Sequence, residues 1–122
     1  MGYESRLYIV DKTKLTEVIN GKEMKWGQVI SVFNLCKVYA VSEKMREYPQ
    51  TDVFIYADDG NTIILEDSYG DTLKEIPIYE AIKIIEAAAS KDKYRRYAPC
   101  IHMLKGFELS EWHNLVVLHY GY

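Results

Sequence analysis

The chain has 122 residues, 48% of them hydrophobic and 27% charged, with a formal net charge of −3. That length reads as a single domain, 1–122, with room for a real core and the composition of an ordinary globular protein. The acidic balance excludes the broad basic surface that long nucleic acid requires and leaves room only for a small basic pocket.

Residues 3–10 read as a half-buried strand, with Tyr3, Ser5, Leu7 and Ile9 on one face and Glu4, Arg6 and Tyr8 on the other. Residues 11–23 are polar around Leu15, Val18 and Ile19 and read as a short helix or a loop, with Asn20-Gly21 as a turn. Residues 25–41 are dense in β-branched and aromatic side chains. Gly27 and the β-branched residues are weak helix formers, so the first half is expected to be a strand. Its second half is ambiguous by periodicity. Residues 42–50, charged and carrying Pro49, fit a helical turn followed by a loop.

Two apolar runs, 53–57 and 62–65, flank Asp58-Asp59-Gly60-Asn61, which predicts a tight hairpin. Strand residues follow that turn at once, so a calcium loop, which needs further oxygen ligands and a closing glutamate, does not fit. Pro77 opens a helix on which Ile78, Ile82, Ile85 and Ala89 recur at helical spacing. A second helical segment runs over residues 94–104, where Pro99 should kink or restart it and Gly106 is placed as its C-terminal cap. Residues 115–120 read as a closing strand. The expected class is α+β: a mostly antiparallel sheet from N-terminal strands and a hairpin, two C-terminal helical segments packed on it, and a closing strand.

Residues 1–10 lack the pattern of a secretory signal, and no run approaches the ~18 apolar residues of a membrane span. The expectation is a cytoplasmic protein with no membrane partner, in which Cys36 and Cys100 are reduced, buried thiols. Cys100 and His102 make one weak pair, short of the repeated pairs of a zinc site, so no metal is assigned. No nucleophile elbow, phosphate loop or dinucleotide fingerprint occurs, and no catalytic residue or cofactor is assigned.

The chain has four arginines, and two lie together in Tyr94-Arg95-Arg96-Tyr97. Guanidinium groups fork onto phosphate and tyrosine faces stack on bases, so the stretch carries the chemistry for holding a small nucleotide. The bland reading is a solvated helix face on which Asp92 pairs with Arg96 at i,i+4. It leaves Arg95 beside Lys91, a like charge. Tyr69, in Asp67-Ser68-Tyr69-Gly70-Asp71, could be a stacking platform or simply an exposed turn residue. Trp26, Asp71 and Tyr97 complete the candidates as pocket walls. Eleven tyrosines against three phenylalanines suit wet pockets and subunit contacts.

Four stretches taken in order, residues 1–8, 55–60, 94–97 and 115–122, make the chain resemble the Thoeris anti-defence family. These are small phage and prophage proteins, and the likeness is to the first described type. The resemblance implies a sponge that binds the cyclic ADP-ribose isomer made by bacterial TIR-domain proteins and holds it uncleaved. It also implies a homo-oligomer, at least a dimer, with ligand pockets between protomers, and in some members a place for cyclic oligonucleotides. Two other readings of the residues remain: a protein-binding inhibitor or assembly module, and a small nucleotide hydrolase using cysteine or histidine.

Overall fold

A computed structural model describes residues 4–35, 39–91 and 97–122. Strand β1 (Ser5–Ile19) turns at Asn20-Gly21 into β2 (Lys22–Asn34), and the two pair antiparallel from Arg6↔Asn34 to Ile19↔Lys22. Asn20 (φ 53°) and Gly21 (φ 79°) supply the consecutive positive φ angles that a two-residue hairpin turn demands. The turn is as expected, but its approach is a correction: residues 11–19 are strand, neither helix nor loop. This arm outruns its neighbours, since β1 is paired on its other side only as far as Asp11↔Leu115. Leu15 and Val18 are therefore 64% and 75% exposed, and no buried alternation marks them as strand residues.

The remaining elements are α1 (Tyr39–Met45), β3 (Val53–Tyr56), β4 (Ile63–Ile64), β5 (Lys74–Pro77), α2 (Ile78–Ala89), α3 (Ala98–Leu109) and β6 (Leu115–Gly121). The six strands form one sheet in the order β4-β3-β2-β1-β6-β5, antiparallel except between β2 and β3. The α+β class and the mostly antiparallel sheet are thus as expected from the pattern. The closing strand lies inside the sheet, between β1 and β5. Isolated bridges Gln50↔Lys74 and Glu66↔Thr72 tie segments beside the two edges together, so the sheet curls.

Each face of the curl buries its own apolar set. Leu7, Ile9, Ile76 and Val117 pack under the helices with Ala81, Ile82 and Ile85 of α2 and Cys100 and Leu104 of α3. Tyr8, Val10, Val53, Ile55, Leu73 and Leu118 fill the other face. Alternation along β1 and β6 makes this partition, and a fully buried side chain of this size contributes about 1.5–3 kcal/mol. Gly27 keeps β2 close to its neighbours on the second face, because an added Cβ would run into Val53 and stand 2.9 Å from Val10 Cγ1.

The Asp58–Asn61 region is the expected hairpin turn. Gly60 has φ 74°, Ala57 N–H donates to the Thr62 carbonyl, and Asp59 Oδ1 accepts the N–H groups of Asn61 and Thr62 at 2.8 Å. Asp59 is held at a pKa of about 2 by the Thr62 hydroxyl and these two N–H groups. Pro77 both ends β5 and precedes α2, and Pro99 stands in the first turn of α3, where it starts the helix. Gly106 does not cap α3. The helix runs on to Leu109, Ser110 is its C-cap, and the left-handed position after it belongs to Glu111 (φ 59°). Among the described residues no helix is long and apolar enough to cross a membrane.

Candidate functional site

The loop 67–71 is built around one carboxylate. Asp67 Oδ1 accepts the N–H of Tyr69 at 2.8 Å and of Asp71 at 3.1 Å, and its Oδ2 accepts the N–H of Gly121 at 3.2 Å. Asp67 N–H donates to the Asp71 carbonyl, and Gly70 takes the left-handed φ of 81° that a glycine tolerates in such a loop. Ser68 N–H then donates to the Gly121 carbonyl, and the Ser68 hydroxyl lies 3.1 Å from the Tyr120 hydroxyl. The loop is therefore fastened to the end of β6.

Beside it opens a cleft of about 260 Å³ lined by Arg46, Asp67, Gly70, Asp71, Thr72, Lys74 and His119. Arg46 follows α1, and Lys74 and His119 stand opposite each other in the β5–β6 register. Arg46 Nη2 is 4.0 Å from Asp71 Oδ2, both groups about half exposed, so this pair contributes little stability. Lys74 Nζ donates to Thr72 Oγ1 at 3.4 Å. On the other side of Asp67 a shallower hollow of about 420 Å³ is lined by Ile63, Ile64, Leu65, Glu66 and Tyr120.

His119 forms the floor. It is 2% exposed, and its Nε2 is 2.9 Å from the Ser5 hydroxyl, which is 2.6 Å from the Ser42 hydroxyl. Burial lowers its pKa to about 4; the charge of Asp67 opposes the shift and that of Arg46 adds to it. At neutral pH His119 is uncharged, so the cleft sets two cations against two carboxylates. Asp67 is already committed to three backbone N–H groups, so Arg46, Lys74 and the Asp71 carboxylate paired with Arg46 are the other charged groups of the cleft.

Of the sequence candidates, Asp71 lines this cleft and Tyr69 stands half exposed on its loop. Trp26 lies on β2 opposite Phe54 of β3, its carbonyl accepting the Thr13 hydroxyl at 2.8 Å. Tyr97, 3% exposed, packs into the helix-side core just before α3. Arg95 and Arg96 lie outside the described residues, as do Tyr94 and Asp92 that flank them and the thiol of Cys36. Cys100 is buried, and burial pushes its thiol up to about 12. Sequence reasoning missed Arg46, Lys74 and His119, which only sheet pairing and the placement of α1 bring together.

It also missed an arginine–tyrosine cluster made by the β1–β6 register, in which Arg6 faces Tyr120. The Arg6 guanidinium carbon is 4.5 Å from the Tyr122 ring centre and 5.5 Å from that of Tyr120. Its Nη1 donates to the Tyr8 hydroxyl at 3.3 Å and its Nε to Asn34 Oδ1 at 2.9 Å. The readable signal was the spacing of Arg6 with Tyr8 and of Tyr120 with Tyr122, each pair on one face of a strand. No protein-family model, no curated protein and no solved structure matches the chain.

Proposed function

We propose that this protein binds and sequesters a cyclic ADP-ribose-type nucleotide without cleaving it, as a phage-encoded inhibitor of Thoeris immunity in the host cytoplasm. The family resemblance supplies the ligand class, and the observation that carries it is the cleft beside the 67–71 loop. There two cations, Arg46 and Lys74, suit a pyrophosphate, Asp71 suits ribose hydroxyls, and Tyr69 offers a ring at the rim. Arg95 and Arg96 are the further phosphate ligands, whereas Trp26 on β2 and Tyr97 in the helix-side core do not line this cleft. A volume of about 260 Å³ lies below the ~300–1000 Å³ of sites that enclose a whole ligand of this size. Part of the nucleotide then extends beyond one chain, which favours a homo-oligomer whose second protomer closes the pocket.

Holding is favoured over hydrolysis by the burial of Ser5. Its hydroxyl is within hydrogen-bond distance of His119 but is fully buried, out of reach of a bound phosphate ester. To test the reading, the protein is incubated with TIR-derived cyclic ADP-ribose isomers, freed of excess ligand and heat-denatured, and the released nucleotide is identified. Intact ligand is the expected result. Converted product would make the protein a hydrolase, and no retained ligand would make it a protein-binding module. Arg46→Ala and Arg95→Ala should each weaken retention by about 1.5–3 kcal/mol, the worth of a charged hydrogen bond.

A further inference from the structure

The chain has another hollow that shares no lining residue with the cleft beside the 67–71 loop. Its volume is about 460 Å³, and it lies between the start of α2, the end of α3 and the start of β6. Tyr79, Phe107 and Trp112 line it together with Glu108, Glu111 and His113. We infer that this hollow is a binding site for a small organic cation.

The aromatic groups are presented there rather than packed away. Tyr79 is 57% exposed and Trp112 is 43% exposed. Trp112 is nevertheless held in place, because its Nε1–H donates to Asp11 Oδ2 at 3.0 Å. That bond satisfies the indole's only polar group, so the apolar body of the ring lines the hollow. The negative faces of such rings attract ammonium and guanidinium groups; Lys83 Nζ already stands 4.3 Å from the Tyr79 ring centre, so Trp112 and Phe107 are the rings left to a ligand.

The charges point the same way. None of the described lining residues is a lysine or an arginine, while Glu108 and Glu111 bring two carboxylates. An anion would be repelled, and a neutral apolar ligand would cover the carboxylates without pairing them. Glu111 follows the C-cap of α3 at φ 59°, in the left-handed position that glycine or asparagine ordinarily occupies, so glycine would suit the backbone there better than glutamate does.

Choline and agmatine are suitable probes, the first a quaternary ammonium and the second a guanidinium. Each is titrated into the isotope-labelled full chain at constant ionic strength while the two tryptophan indole N–H signals are followed. The Trp112 signal, identified by its loss in Trp112→Phe, should shift saturably with at least one cation. It should not respond to the neutral isostere of choline, in which carbon replaces nitrogen. Whether choline or agmatine binds more tightly then distinguishes a quaternary from a planar head group. Glu108→Gln and Glu111→Gln should each weaken binding roughly threefold to tenfold. Glu111→Gly separates binding from structure: it should raise the melting temperature, because glycine suits the backbone, yet weaken the cation. The inference is overturned if the neutral isostere binds equally well, if no cation moves Trp112 saturably, or if both glutamine variants keep full affinity. None of these results bears on nucleotide retention, which is measured at the other cleft.

Discussion

Replacing His119 by glutamine should flatten the acid side of the protein's stability curve. The folded chain keeps His119 neutral until the pH approaches 4, whereas the unfolded chain protonates it near 6.5. Between those values the unfolded state binds the extra proton, so lowering the pH favours unfolding, and stability present above pH 6.5 is lost on the way down to 4. Each pH unit in that interval removes ~1.4 kcal/mol, and by about pH 4 His119 alone removes about 3 kcal/mol. With only 2% of the residue exposed, solvent does little to screen the effect. Against a total stability of ~5–15 kcal/mol this is large. The assay is urea unfolding of wild type and His119→Gln at about pH 7 and about pH 4, since glutamine can still reach the Ser5 hydroxyl. Carboxylates contribute to acid unfolding equally in both proteins and cancel in the comparison. Parallel loss of stability would refute the reasoning, and so would a His119 ring resonance that titrates near 6.5 in the folded protein.

Gly27→Ala should lower stability by about 1–3 kcal/mol in urea melts, because its Cβ meets Val53 and Val10 between packed strands. Asp67→Ala leaves the N–H groups of Tyr69, Asp71 and Gly121 without their carboxylate acceptor and should cost about 1–3 kcal/mol, read as faster exchange of those three amides. In a Cys36→Ser background Cys100 should resist disulfide reagents at neutral pH until urea unfolds the chain, because its thiolate forms only near pH 12. Rapid labelling of the folded protein would contradict the burial of that thiol.

What could be read from the sequence was local chemistry. Asn20-Gly21, the Asp59-Gly60 turn, Pro77 before α2 and Pro99 at the start of α3 each act through their own backbone, and each stands where its residue type predicts. Two features failed for an equally physical reason. Residues 11–19 form strand without burying a face, so their pattern carries no period, and Gly106 is helical because the segment beyond it continues to Leu109. The four residues of β5 were invisible because the strand ends in Pro77 and runs directly into α2. At the candidate site, Tyr69 and Asp71 were legible because they share a loop with Gly70. Lys74 and His119 were not, since strand register alone sets them opposite each other. Arg46 reaches the cleft from the end of a helix far away in sequence.

The placement of β6 between β1 and β5 has a consequence for how the chain folds. Arg6 must wait for Tyr120, and Ile76 for Val117, before either ladder can form. The β1–β2 hairpin and the Asp59 turn can close locally, but of the two contacts that complete the sheet β1–β6 spans most of the chain and β5–β6 about a third of it. Such sequence-distant pairing makes for slow folding, because the entropy of closing a long loop is lost before any strand contact compensates it. Until then β1 and β5 each expose an edge, the interval in which association between chains competes with folding. Removing residues 115–121 would therefore leave a chain that cannot complete its sheet, however well its helices and turns are specified.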